Sequence, residues 1–512
     1  MDDKIIVTNR TALQAKYGAA GFAKIKAAVQ DLIQADAERS IKTRLVFLDS
    51  AVDMRRYRGV PVTDPTSSRQ NKNAVDAVFK KTNPDYLMIL GAPDVVAHQD
   101  LNNPAYAASD DDDKVAWGDL PYACDAPYSK DVAKFKGPTR VVGRLPDLTG
   151  AKNPAYLLGI LTKAAAYKSR KVTDYGKYFG LSAQVWRKST ELSLFNMFGE
   201  SKALQIAPPS GPSHTAVRLA PLAHFINCHG AEASPAFYGQ KGQSYPESLT
   251  TKAMKGKIKP GTVAAVECCY GAELYDSVTL ASDMPICQEY LRQGGYGFFG
   301  STTIAYGPAE GNAQADLITQ YFMLTMLDGA SLGRAALVAQ QKFIEQVAEL
   351  DPVDLKTLAQ FVLLGDPSIQ PAAVTKTTGV PKGMDPAVAR QQARGERRTK
   401  LRETGNNLEA TKPTASRPQK GGRKSPNVRK ALANIARQAG ISPRREFTSF
   451  AVKAPPAARA MANKGAPLAS RYHVTISSAG REKTPPGVGS RVAVVAKEVN
   501  GRIIGYRIYQ EK

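Results

Sequence analysis

Through residues 1–375, short apolar runs alternate with longer segments of helical spacing, and this alternation restricts the folds open to the chain. The runs KIIVTN, RLVFLDS, DYLMILG and TRVVGRLP carry Ile, Val and Leu at consecutive positions, so both faces of each would be apolar. Between them, AAGFAKIKAAVQDLIQADAE and NKNAVDAVFKKT space their apolar residues three and four apart. Strands apolar on both sides need cover on both sides, and parallel neighbours need a crossover helix. The pattern therefore predicts an α/β fold, a mainly parallel sheet between two helical layers. After NPAYLLGILTKAAAYKSRK it restarts with YFGLSAQVW, LAHFINCHG, GTVAAVECC and YGFFGSTTIA, followed by helical patterns at ADLITQYFMLTMLDG and SLGRAALVAQQKFIEQVAEL. No clear sequence repeat accompanies the restart. The expectation is two similar α/β/α layers side by side, residues 1–170 and 171–375.

The remainder is different in kind. Residues 376–512 hold 29 Lys+Arg against 8 Asp+Glu, so this tail supplies +21 of the chain's net +23. From 376 to 445 large apolar residues are scarce, which predicts a disordered basic linker unable to offset its ordering entropy. NVRKALANIARQAG is a candidate short helix within it. Residues 446–512 contain the strand-like runs YHVTISSAG, SRVAVVAKEV and RIIGYRIYQ, with Asn500-Gly501 as a two-residue hairpin signal, and predict a small C-terminal β module. The tail's charge suits a flexible linker, or a non-specific acidic partner or nucleic acid; no motif that reads RNA or DNA accompanies it.

No apolar run reaches the roughly 20 residues of a membrane span, so no membrane partner is expected. The start, MDDKIIVTNRTALQ, lacks signal-peptide character, and the five cysteines (124, 228, 268, 269, 287) are odd and sparse for a disulfide framework. Both point to a reducing cytoplasm.

Two strand ends carry the chemistry. LAHFINCHG ends in His229-Gly230, and GTVAAVECCYG ends in Cys268-Cys269 shortly before Gly271. In parallel sheets the crevice beyond the strand ends is where ligands bind. An imidazole beside a thiol generates a nucleophilic thiolate and can protonate a leaving amine. The backbone amides of Gly230 and Cys269 would hold the oxyanion. Side chains alternate along a strand, so only one of Cys268 and Cys269 can face His229. The local pattern of caspases, with the nucleophile third in ECCYG, selects Cys269, with Cys268 as the alternative. Zinc is disfavoured because the CH and CC pairs lack ligand spacing, and nucleotide binding because no Gly-Lys-Ser/Thr follows GGYGFFG.

His-Gly paired with an acidic-small-Cys strand end resembles the caspase-like (clan CD) cysteine peptidases. PDYLMILGAPD, LPYACD, RVVGRLPDLTG, GGYGFFGSTTIAYG and FVLLGDPSIQP, in that order over about residues 80–370, resemble the gingipain-type family among them. The resemblance implies a caspase-like three-layer α/β/α sandwich with two subdomains, 1–170 non-catalytic and 171–375 catalytic. It also implies endopeptidase activity with His229 and Cys269 as the dyad. In arginine-specific members an acidic residue of an Asp-x-x-Tyr stretch lies at the base of the specificity pocket; GDLPY places Asp119 and Tyr122 there, which implies cleavage after Arg or Lys. The family binds calcium, for which Asp110–Asp113 is the candidate; no other cofactor is expected. A basic-residue specificity would make the linker at 390–445 a self-processing substrate. The rival reading is a catalytically silent scaffold of the same fold that binds through its basic tail.

Overall fold

The structure is a computed structural model that describes residues 2–107, 110–373, 386–419, 424–455, 470–478 and 491–512. Ten strands form one sheet: β1 (Lys4–Thr8), β2 (Thr43–Phe47), β3 (Tyr86–Leu90), β4 (Val142–Leu145), β5 (Tyr178–Ala183), β6 (Leu204–Ala207), β7 (Ala223–Asn227), β8 (Val263–Val266), β9 (Gly297–Ser301) and β10 (Phe361–Gly365). Their spatial order is β2-β1-β3-β4-β10-β9-β8-β7-β5-β6. Every pairing is parallel except β9 with β10. Strands β1, β3, β5, β7, β8, β9 and β10 are buried at every position, as consecutive apolar residues require.

Helices cover both faces. On one side α1 (Arg10–Glu38), α2 (Ser68–Thr82), α3 (Ala155–Ala165) and α5 (Ile286–Arg292) bury Leu13, Val75, Leu161 and Tyr290 in a shared core. On the other, α4 (Arg187–Phe198), α6 (Gln314–Leu327), α7 (Leu332–Gln346) and α8 (Pro352–Gln360) bury Leu194, Phe322, Phe343 and Leu358. Phe322 stacks on Phe299 of β9 with ring centroids 4.5 Å apart. Each such fully buried side chain contributes about 1.5–3 kcal/mol. The mixed α/β class matches the expectation. The two expected layers are joined into one sheet, because β10 pairs with β4 at Leu364 and Arg144.

The stretch expected to be a disordered linker carries two helices, α9 (Pro386–Thr411) and α10 (Pro426–Gln438). Its low hydrophobicity does not prevent order, because α9 docks by charge and close backbone approach. Arg398 pairs with Asp85 at 3.1 Å and Lys136 with Glu409 at 3.1 Å. A Cβ on Gly405 would lie 2.3 Å from the Pro138 carbonyl oxygen, so only glycine lets α9 come so near. Helix α10 starts at Ser425, whose hydroxyl accepts from the Val428 amide, and buries Val428, Leu432, Ile435 and Ala436 on one stripe. Residues 376–385 and 420–423 of the expected linker lie outside the described residues.

The expected β module is an antiparallel sheet of β11 (Thr448–Ala451), β12 (Ser470–Ser478), β13 (Arg491–Val499) and β14 (Arg502–Glu511). Asn500 and Gly501 turn the β13–β14 hairpin with φ of 50° and 77°. A fifth strand, Tyr306–Gly307, comes from the α/β body and pairs with β14. Among the described residues, no helix is long and apolar enough to cross a membrane.

Candidate active site

Strands β7 and β8 are parallel neighbours, in register from Ala223 with Val263 to Ile226 with Val266. Their carboxyl ends therefore emerge side by side. Alternation along β8 sends Val263 and Ala265 into one core and Ala264 and Val266 into the other. It continues past the strand end: Cys269 lies on the first face and Cys268 on the second, in the core that also holds Cys228 and Tyr290.

His229 and Gly230 follow β7 as a short strand paired antiparallel with Ala236–Tyr238. The two strand ends touch. A Cβ on Gly230 would fall 1.8 Å from the Cys269 carbonyl oxygen and 3.3 Å from its amide nitrogen. The His229 ring is boxed between Trp186 and Tyr245, at centroid distances of 4.4 and 5.1 Å. Gln240 donates its amide N–H groups to the Gly242 carbonyl and the Tyr245 hydroxyl, which turns its Oε1 toward His229 Nε2 at 2.8 Å. Nε2 is therefore the protonated nitrogen, and Nδ1 is buried with its lone pair without a hydrogen-bond partner. Burial, opposed by the Gln240 bond and aided by the nearby Lys512 cation, lowers the imidazole pKa to about 4.

Cys269 is fully buried, and its sulfur accepts from the Ala305 amide at 3.2 Å. Burial pushes the thiol well above its usual range, and the Glu511 carboxylate adds to this. No hydrogen bond joins thiol and imidazole: both are neutral, and the thiol is turned toward Ala305.

Lys512 lies against the Cys269 backbone. The Cys269 amide donates to the Lys512 carbonyl oxygen at 3.0 Å, and the Lys512 amide donates to the Ala305 carbonyl at 3.0 Å. Its side chain runs into a closed pocket, where Nζ meets Glu267 Oε2 at 2.5 Å, Asp316 Oδ1 at 2.7 Å and Asn227 Oδ1 at 3.1 Å. Trp186 lies over it at 5.4 Å. Burial works against the ammonium, but Asp316 and Glu267 outweigh it and its pKa is raised. Burial, with the Asp316 charge, raises the Glu267 carboxyl well above its usual range.

Asp119 and Tyr122 are elsewhere. Arg144 of β4 forks onto the Asp119 carboxylate at 2.6 and 2.9 Å, and His98 Nδ1 lies 3.0 Å away. Burial alone would raise this carboxyl, yet Arg144 and then His98 hold it far below the usual range. A carboxylate so matched has no charge left for a substrate, which corrects the expected substrate-binding role. Tyr122 is fully buried and donates to the Ala97 carbonyl at 2.8 Å, so it too is a structural residue.

The candidate calcium run is engaged by the protein's own cations. Lys356 Nζ lies 2.6 Å from Asp111 and 3.3 Å from Asp113, Arg445 pairs with Asp110, and Arg491 lies 3.5 Å from Asp112. No cluster of three or more metal-ligating side chains occurs among the described residues.

Glu267 escaped the sequence reading although a signal was present. It stands two residues before Cys269, the same-face spacing, and is the one carboxylate at the end of a wholly apolar run. Asp316 and Lys512 carried no such signal.

No protein-family profile matches the sequence, and no curated protein matches it. Among solved structures, that of a protease is similar with a TM-score of 0.48 and 13% identity, over 99% of this chain and 96% of that one. The separase–securin complex of Saccharomyces cerevisiae is similar with a TM-score of 0.27 and 13% identity, over 46% of this chain and 14% of that one.

Proposed function

We propose that the chain is a cysteine endopeptidase of the caspase-like, gingipain-type kind that cleaves after lysine. The observation that carries this reading is a peptide strand lying against the Cys269 amide with its lysine in a closed acidic pocket. Buried carboxylates unpaired with a cation are costly, so Glu267 and Asp316 make the pocket a cation receptor. Three acceptors converge on one nitrogen, matching the three N–H bonds of an ammonium. An arginine is longer and presents a planar fork instead. Gly307 packs directly against the lysine stem: a Cβ there would come within 2.1 Å of Lys512 Cε. On this reading the expected preference for arginine or lysine narrows to lysine, with Glu267 and Asp316 in the role expected of Asp119.

In the proposed reaction Cys269 turns from Ala305 and gives its proton to His229 Nδ1. The sulfur bonds to the substrate carbonyl carbon, and the developing oxyanion is held by the Cys269 amide, where the Lys512 carbonyl oxygen now sits, with Gly230 as the second donor. The imidazolium then protonates the leaving amine as the C–N bond breaks, and water hydrolyses the thioester.

The test is hydrolysis of lysyl, arginyl and norleucyl coumarin-amide peptides by the wild-type and Lys512→Ala chains, each with and without Cys269→Ala or Cys268→Ala. Lysyl hydrolysis should predominate, vanish with Cys269→Ala and survive Cys268→Ala. Equal turnover of all three substrates would reject the pocket, and activity retained by Cys269→Ala would reject the dyad.

A further inference from the structure

We infer that β14 and Lys512 form a resident substrate mimic, a segment of the chain that fills its own substrate groove and must be displaced before a substrate can enter. The regulatory consequence rests on the peptidase reading; the occupancy does not. Three features define it. Strand β14 adds antiparallel to the short body strand, with Glu511 opposite Tyr306 and Gln510 opposite Gly307. This is the backbone pairing by which a sheet edge captures an extended peptide. Lys512 continues the strand, its amide on the Ala305 carbonyl and its own carbonyl on the Cys269 amide. Its ammonium then completes the pocket, so the backbone hydrogen bonds and the pocket contacts belong to one continuous ligand.

The mimic also shields the nucleophile. Glu511, the residue before Lys512, is clamped by Arg491 of the neighbouring β13, and both charges act on the Cys269 thiol. Arg491 reaches Asp112 of the body as well, and Lys497 of β13 reaches Glu349 at 2.9 Å. Asp112 is 69% exposed, so solvent screens that contact, whereas Lys512 and its two carboxylates are fully buried. Lys512 is thus the buried charged attachment of this strand, beside Tyr509, which lies in the body's core with its hydroxyl accepting from Gln314 Nε2 at 2.8 Å. Removing the ammonium while the strand stays in place would leave two carboxylates buried without a cation, a state relieved by lifting the strand and admitting water.

The test compares the wild-type and Lys512→Ala chains by two readouts. The first is the rate at which iodoacetamide alkylates each cysteine, followed by peptide mass spectrometry; the second is lysyl-peptide hydrolysis. All five cysteines are buried, so the other four report on unfolding. Lys512→Ala should raise alkylation of Cys269 by about 100-fold, the shift expected on removing one partner of a buried charge cluster, with Cys124, Cys228, Cys268 and Cys287 unchanged. Hydrolysis should rise with it. Faster alkylation of Cys269 without any hydrolysis would uphold the mimic and overturn the peptidase reading. Equal alkylation in both chains would overturn the mimic, whatever the hydrolysis. Should Lys512→Ala label all five cysteines together, Lys512→Met, which keeps an unbranched stem of similar length without the charge, replaces it, and equal labelling of Cys269 in that chain and the wild type overturns the proposal.

Discussion

Replacing Gly230 by alanine tests the contact on which the site depends. The added Cβ would sit 1.8 Å from the Cys269 carbonyl oxygen, and real Cβ atoms essentially never approach a heavy atom within 3.0 Å. The histidine strand and the cysteine turn must therefore separate by at least about 1.2 Å, the difference between those distances. A displacement of roughly 1 Å between reacting groups costs on the order of 10²-fold in rate, about 2.7 kcal/mol of transition-state stabilisation. Overpacking itself destabilises the fold by about 1–3 kcal/mol. The assay is kcat/KM for a lysyl peptide in the Lys512→Ala background, corrected for the folded fraction from a thermal melt. Gly405→Ala is the control, because its Cβ would lie 2.3 Å from the Pro138 oxygen in the α9 contact, a comparable insult away from the dyad. The control should lose stability and keep kcat/KM. Unchanged kcat/KM in Gly230→Ala would refute the juxtaposition of His229 and Cys269.

Two further outcomes follow from charges already described. Asp119→Asn leaves Arg144 buried with a weakened partner and should destabilise by about 3–5 kcal/mol in chemical denaturation, while the preference for lysyl over norleucyl substrates stays the same; a lost preference would return Asp119 to the pocket. His229 titrates near 4 when folded against 6.5 when free, so the unfolded chain takes up its proton first as pH falls. Its contribution is absent above pH 6.5 and grows to a loss of about 3 kcal/mol as pH drops to 4. Denaturation midpoints across that window should fall less steeply for His229→Asn than for the wild type; parallel slopes would mean that the ring is not buried neutral.

Eight of the ten strands of the large sheet were legible because they carry runs of apolar residues, whereas β6 and β10 were not read as strands; β6 is a half-exposed edge strand, LQIA, with a polar residue in it. That His229-Gly230 and the cysteine pair end neighbouring strands was legible for a local reason, the end of an apolar run; the choice of Cys269 over Cys268 rested on the caspase pattern in ECCYG. What stayed hidden depends on partners far apart in sequence. Asp119 reads as a free acid until Arg144 is folded onto it, 25 residues later. The pocket takes Glu267 from a strand end, Asp316 from the first turn of α6 and its occupant from residue 512, and no short-range pattern relates them. Helix α9 was hidden because its contacts are charges and a glycine, which composition counts as signs of disorder. The tail's cations likewise suggested an outside acidic partner, yet Arg398, Arg445, Arg491, Lys497 and Lys512 meet carboxylates of the same chain.

The pairing of β10 with β4 binds together the parts of the chain on either side of residue 170. Strand β10 is made last of the ten, yet it inserts between the earliest four and the rest, antiparallel to β9 and parallel to β4. A chain divided near residue 170 would leave β4 and β10 each with a bare row of backbone donors and acceptors, flat apolar rims of the sort that nucleate aggregation. The two portions are thus poor candidates for separate production. Whatever function the first 170 residues lack by themselves, they close an edge that the remainder cannot close alone.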